Sequence, residues 1–173
     1  MEFTFQTKYN QKAMKEMARG VRKTIRKKRN LRTRIVGFAI CILGLVLTLI
    51  PGENGLTVDF SSVLTWIAVA IMGVVLIWED SINGYLARKR LLPGTETSET
   101  VFQEDGYESV SEFGKSEWSY DKIVEIAEAK EYFVFVFSIS HAQVLDKSSL
   151  TGGTLEEFRK FIQRKTEKDI TVI

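Results

Sequence analysis

Two long apolar segments dominate the hydrophobic pattern of the chain. Ile35–Ile50 and Val63–Trp78 each hold 16 residues and contain no charged side chain. Sixteen helical residues span about 24 Å, which is short for a hydrocarbon core of about 30 Å, so flanking residues must extend them. Buried helices of soluble proteins usually keep a polar face, and neither segment has one. The pattern predicts two transmembrane helices, 35–50 and 60–78.

Charge predicts how this hairpin is oriented. Residues 1–34 carry twelve Lys and Arg against two acids, and Arg88, Lys89 and Arg90 follow the second segment. The intervening loop, 51–59, contains Glu53 and Asp59 and no cation. Because cytoplasmic flanks are rich in Lys and Arg, we expect a two-span protein of the cell membrane. Both termini would be cytoplasmic and the short loop external.

Small side chains suggest how the two helices pack within the predicted hairpin, residues 35–90. They recur on one face of the first helix, and a similar small-residue surface occurs on the second. Such surfaces allow two helix backbones to approach closely in lipid. The predicted packing positions are Gly37, Cys41, Gly44, Thr48, Ala70 and Gly73. The single cysteine is therefore expected to be a small packing residue.

The segment before the hairpin, residues 11–34, predicts a basic amphipathic helix. Met14, Met17, Val21 and Ile25 line one side. Such a helix lies either at the membrane interface or beneath the soluble domain, and the sequence leaves both placements open. Juxtamembrane cations attract anionic lipids, and the expected contacts are Arg22, Lys23, Arg26, Lys27, Lys28 and Arg29. The lack of interleaved aromatic residues disfavours nucleic acid as the partner.

The pattern of residues 95–173 predicts a small soluble domain. This part of the chain is acidic, with a net charge of −7 over residues 91–173. Short strands are separated by turn signals, at 95–103, 107–113, 124–129, 132–138 and 142–146, with a turn expected at 114–117. Alternation in 132–138 puts Phe133, Phe135 and Phe137 on one face. Thr154 and Glu157 form a capping box for a C-terminal amphipathic helix.

About 80 residues make a small core, and an additional strand would enlarge it. Residues 1–10 supply one, since Phe3 and Phe5 alternate with polar residues. We therefore expect the N-terminal strand to join the C-terminal sheet, with the hairpin inserted within one domain. The predicted fold class is an α+β membrane protein whose small antiparallel β-barrel is closed by the C-terminal helix.

Catalytic chemistry finds little support in the sequence. His141 is the only histidine, which disfavours a zinc site or a Ser-His-Asp triad. The segment 151–154 lacks the lysine and spacing of a phosphate-binding loop, and it is better explained as a helix cap. Glu79 and Asp80, at the inner membrane boundary, could pair with Arg88 or with basic residues of the first helix. We expect no enzyme, cofactor, metal or small-molecule substrate.

Several motifs together resemble the YcxB-like family of bacterial membrane proteins. They include the N-terminal strand, the basic helix, the paired apolar segments, the stretch 99–106, Trp118-Ser119 before 123–126, the aromatic strand 132–137 and the helix that contains Phe158. The resemblance implies that the barrel is a pleckstrin-homology-like domain. The resemblance implies no catalytic activity and no ligand-binding residues for this chain.

These features favour a membrane-anchored, non-catalytic interaction or scaffold protein. Its expected partners are the lipid bilayer and either a protein partner or a second copy of the chain. A lipid-sensing module at the inner leaflet is one alternative, although an acidic domain suits anionic headgroups poorly. An immunity or stress accessory protein acting through the hairpin is another alternative.

Overall fold

The computed structural model describes residues 2–50 and 59–173. The chain divides into two compact units. The β-unit comprises the residues up to Lys27 together with Asp80–Ile173, and the hairpin unit comprises Lys28–Glu79. The expected external loop lies, apart from Asp59, outside the described residues.

Four antiparallel strands form the first sheet of the β-unit, in the order β1 (Phe3–Lys8), β2 (Thr97–Phe102), β3 (Tyr107–Ser111) and β4 (Gly114–Trp118). The register pairs Phe3 with Phe102 and Lys8 with Thr97. The N-terminal strand therefore joins a strand that follows the apolar segments, as its alternation predicted. Residues 114–117, predicted to be a turn, instead belong to strand β4. Its glycine and charged residues give no apolar alternation from which a strand could be identified.

The second sheet has the order β7-β6-β5-β8. Its strands are β5 (Glu125–Glu128), β6 (Tyr132–Val136), β7 (Ala142–Asp146) and β8 (Ile170–Val172), and β8 runs parallel to β5. Helix α5 (Leu155–Thr166) precedes β8 and begins with the predicted capping box of Thr154 and Glu157. The mixed α+β class is confirmed. The strands form two separate sheets rather than the closed barrel that we expected, and strand β8 was not predicted.

An aromatic core joins both sheets to α5. Phe158 is fully buried, and its ring centroid lies 4.7 Å from that of Phe5, 5.1 Å from Phe102 and 5.3 Å from Phe133. Because alternate residues of a strand point to opposite faces, Phe133 and Phe135 enter this core while Tyr132, Val134 and Val136 face away from it.

Helix α1 (Gln11–Lys23) covers the opposite face of the second sheet. Ala13 and Val21 pack in one cluster with Val134 and Val144, and Met17 and Ile25 border that cluster. Of the two placements left open by the sequence, the structure has the one on the soluble domain. A carbon added at Gly20 would lie 2.7 Å from a methyl group of Val134, so glycine allows the close approach of helix and sheet.

Three further helices follow: α2 (Lys27–Leu49), α3 (Phe60–Ile77) and α4 (Glu79–Lys89). The basic segment is therefore not one helix over 11–34, because α1 ends at Lys23, Arg26 lies in the turn that follows, and the other cations belong to the start of α2. Helices α2 and α3 are long and apolar enough to span a membrane. Only 6% and 11% of their apolar windows are buried. Helix α4 was not predicted.

Candidate functional site

The β-unit contains a close helix pair, which we call the α1–α4 junction. The Arg22 guanidinium donates two hydrogen bonds of 2.5 Å to the two carboxylate oxygens of Asp80. Gln11 donates to the Ser81 carbonyl at 3.3 Å. A carbon added at Gly84 would lie 2.7 Å from the Lys15 backbone, so the two helix backbones are nearly in contact. The chain thus leaves the β-unit and re-enters it through two helices that are bound to each other.

The two carboxylates predicted at the inner membrane boundary pair with arginines of two different helices, α1 and α2. Asp80 pairs with Arg22 within the β-unit. Within the hairpin unit, Glu79 lies 3.8 Å from Arg34, and Arg34 also donates to the Leu76 carbonyl at 2.7 Å. These arginines therefore neutralise the two acids with which α4 begins.

Small residues of α2 form the packing face of the hairpin. A carbon added at Gly37 would lie 2.9 Å from Leu76, and one added at Gly44 would lie 3.4 Å from Val69. Cys41 is buried between these positions. Thr48 accepts a hydrogen bond of 2.9 Å from the Trp66 indole. All four predicted positions on α2 therefore lie on, or bond across, the face that meets α3.

The predicted positions on α3 lie elsewhere. Ala70 is exposed, and no atom outside the helix lies within 4 Å of a carbon added at Gly73. Larger side chains, Val69 and Leu76, meet the glycines of α2 instead. The spacing of small residues in the sequence could not show that α3 contributes large side chains, which fill the space left by the glycines of α2.

The six predicted lipid-contact cations fall into two groups. Arg22 is bound to Asp80, and Arg26 donates to the Ile139 carbonyl at 3.0 Å, so both stabilise the β-unit. The other four side chains are exposed: Lys23, Lys27, Lys28 and Arg29. The structure thus leaves the exposed group available to a ligand and assigns the first two a structural role.

Strand β4 presents an open surface, which we call the β4 edge. All five of its residues are exposed, and the first sheet ends at this strand in the described part of the chain. Trp118 stacks on Phe137 with ring centroids 4.9 Å apart. Residues 104–117 contain five acids and one lysine, a net charge of −4. An open strand edge can pair with an extended segment of another chain, and this one would favour a basic segment.

Buried charge elsewhere in the β-unit has a structural explanation. Glu128 accepts hydrogen bonds from Lys147 at 2.5 Å and from Arg159 at 2.6 Å, which ties β5 to α5. Burial opposes ionisation of this carboxyl, but the two cations outweigh it and lower its pKa. In the same unit, burial raises the pKa of the Tyr107 and Tyr120 phenols.

The residues weighed for catalysis lie in turns and caps. His141 lies within 3.2 Å of the Ser138 and Ser140 hydroxyls in an exposed turn. Thr154 caps α5, and Gly152 has a φ of 88°, which favours glycine. Within residues 2–50 and 59–173, no group of three or more His, Cys, Asp or Glu side chains is placed to hold a metal ion.

Residues 102–162 match the family described as YcxB-like protein, a segment that runs from the end of β2 into α5. No curated protein and no solved structure matches the chain. The chain is therefore similar to the YcxB-like family over residues 102–162, which confirms the resemblance indicated by its sequence motifs.

Proposed function

We propose that this chain is a membrane-anchored interaction protein, in which α2 and α3 span the cell membrane and the β-unit binds a protein partner at the cytoplasmic face. The observation that carries the proposal is the exposure of α2 and α3, whose segments 35–49 and 60–77 contain no charged side chain and expose most of their large apolar residues. A soluble unit rarely exposes so large an apolar surface, because burying it against lipid is strongly favourable. Basic residues before α2 and at the end of α4 support cytoplasmic termini.

The β-unit supports a pleckstrin-homology-like assignment. Two antiparallel-rich sheets enclose an aromatic core with a single C-terminal helix, α5. The α1–α4 junction supports the anchoring role, because both connections to the hairpin are held together on the β-unit.

The β4 edge is the surface that we propose for the partner. Backbone pairing would supply affinity, and the acidic side chains around it would select an extended basic segment. Trp118 adds an aromatic contact of the kind enriched in protein interfaces.

Membrane topology is tested by cysteine accessibility in intact cells. In a Cys41→Ala background, a cysteine placed at Asp169 should react with an impermeant thiol reagent only after the cells are opened. A cysteine placed at residue 54 should react in intact cells. Partition of the chain into the aqueous phase without detergent, or labelling of Asp169→Cys in intact cells, would contradict the anchoring proposal.

The partner surface is tested by photo-crosslinking from native membranes. A crosslinker at Ser116, in β4, should capture a protein through a basic segment, and 0.5–1 M salt added before irradiation should weaken the capture. The variants Glu112→Lys and Glu117→Lys should reduce it, whereas Glu156→Lys, an exposed charge change on α5, should leave it intact. Equal capture by all three variants would argue against the β4 edge as the binding surface.

A further inference from the structure

The hairpin unit carries a groove between α2 and α3 with a cavity of about 840 Å³. The residues that line it change from charged to apolar along the helix axis. Three cations, Lys28, Arg29 and Arg32, lie at one end, and the remaining lining is mostly apolar, including Val36, Ile40 and Met72. From Arg29 to Ile40 the helix rises about 16 Å. The groove is therefore an apolar channel with a positively charged mouth.

The charge at this mouth is not neutralised by the protein. None of the residues that line the groove is acidic. The side chains of Lys28, Arg29 and Arg32 are exposed, and none forms an ion pair in the described part of the chain. Arg34, only two residues beyond Arg32, behaves differently, because it pairs with Glu79 and with the Leu76 carbonyl. The hairpin thus neutralises one arginine and leaves the groove cations for an external anion.

The apolar part of the groove combines residues of both helices. Gly37 and Leu76 line it together, and a carbon added at Gly37 would lie 2.9 Å from Leu76, so the two helices are in close contact there. Val36 and Ile40 are 56% and 51% exposed, so their apolar surface is available to a ligand.

We propose that this groove binds one anionic phospholipid. Its phosphate would lie on Arg29 and Arg32, whose guanidinium groups suit bidentate phosphate contacts, with Lys28 as an additional positive charge. One acyl chain would follow Val36, Ile40 and Met72. The inference rests on the proposed membrane anchoring, and it adds a defined ligand and site to it.

The site is tested by native mass spectrometry of the full chain released from mild detergent. The probes are phosphatidylglycerol and phosphatidylcholine with identical acyl chains. The wild-type chain should retain one phosphatidylglycerol in preference to phosphatidylcholine. The double variant Arg29→Gln/Arg32→Gln should reduce that preference by about 10- to 30-fold. Arg90→Gln, which removes an exposed charge that does not line the groove, should leave the preference within about twofold of wild type.

The apolar half of the groove needs its own variant. Ile40→Trp should fill the channel and reduce retention of the bound lipid severalfold. Ile42→Trp is the matched control, because Ile42 is also an exposed isoleucine of α2 but does not line the groove. Retention that is equal for both lipids in the wild-type chain, or equal losses in the two tryptophan variants, would overturn the proposal.

Failure of this inference is distinguishable from failure of the anchoring proposal. A chain that inserts into vesicles but shows no headgroup preference would refute the groove site alone. A chain that remains in the aqueous phase with vesicles of either composition would refute the anchoring proposal and the groove site together.

Discussion

Arg22 and Asp80 are separated by 58 positions in the chain, yet their side chains form a bidentate ion pair in which both hydrogen bonds are 2.5 Å long. Their side chains are 12% and 15% exposed, so water screens the pair weakly. Both apolar helices lie between these residues in sequence. The pair therefore closes a loop of the chain that contains the whole predicted membrane hairpin.

We expect Arg22→Ala or Asp80→Ala to lower the free energy of unfolding of the β-unit by about 2–3 kcal/mol, because each leaves a poorly hydrated charge without its partner. Thermal unfolding in detergent measures the effect. Lys12→Ala is the control, since its ion pair with Glu131 is largely exposed to water and should change stability far less. Additive effects in the Arg22→Ala/Asp80→Ala double variant would show that the pair does not couple the two helices.

Gly84→Ala should destabilise the α1–α4 junction. The added methyl group would meet the backbone of Lys15, which cannot rotate away as a side chain can. We expect a loss of about 1–3 kcal/mol despite the better helix propensity of alanine. Gly73→Ala is the matched control, because its methyl group meets no atom outside the helix within 4 Å. Equal melting temperatures for the two variants would contradict the close contact.

Glu128 predicts a specific dependence of stability on pH. The folded state lowers the pKa of Glu128, so the ionised carboxylate stabilises the β-unit above its unfolded pKa of about 4.3. That stability is lost as pH falls through the lower folded pKa. Glu128→Gln should therefore be less stable than wild type at pH 7 and should show a shallower loss between neutral and acid pH. Phe113→Ala changes no titratable group and should keep the wild-type slope, and identical slopes for all three proteins would refute this role.

Phe158→Ala should remove the centre of the aromatic core. The ring is fully buried, and we expect a loss of about 3–5 kcal/mol from lost contacts and the cavity left behind. Phe113 is 68% exposed, so Phe113→Ala should change stability by less than about 0.5 kcal/mol. Circular dichroism during thermal unfolding compares the two, and a small effect at Phe158 would contradict its place in the core.

Local patterns predicted several elements of the β-unit well. The capping box of Thr154 and Glu157 is a signal contained within four residues, and it begins α5 as expected. The alternation of Phe133 and Phe135 with Val134 correctly assigned the two faces of β6. Such signals depend on residues near in sequence, which is why they could be identified without the fold.

Elements governed by distant partners were missed. Strand β4 has no apolar alternation and is formed by pairing with β3. Strand β8 has three residues and is held by parallel pairing with β5, more than 40 positions earlier. Arg22 resembled its basic neighbours in sequence, and only the fold distinguishes it by bringing Asp80 to it. The amphipathic periodicity of α1 indicated that the helix has an apolar face, but it could not indicate that the second sheet covers this face.

The pairing of β1 with β2 also has a consequence for biosynthesis. A ribosome makes β1 first, and its partner strand emerges only after both apolar helices have been synthesised. Phe3 and Phe5 therefore have no native partner strand until the segment between β1 and β2 has been synthesised. The first sheet can therefore be completed only after α2 and α3 have left the ribosome, so a chain truncated within either helix would lack a finished first sheet.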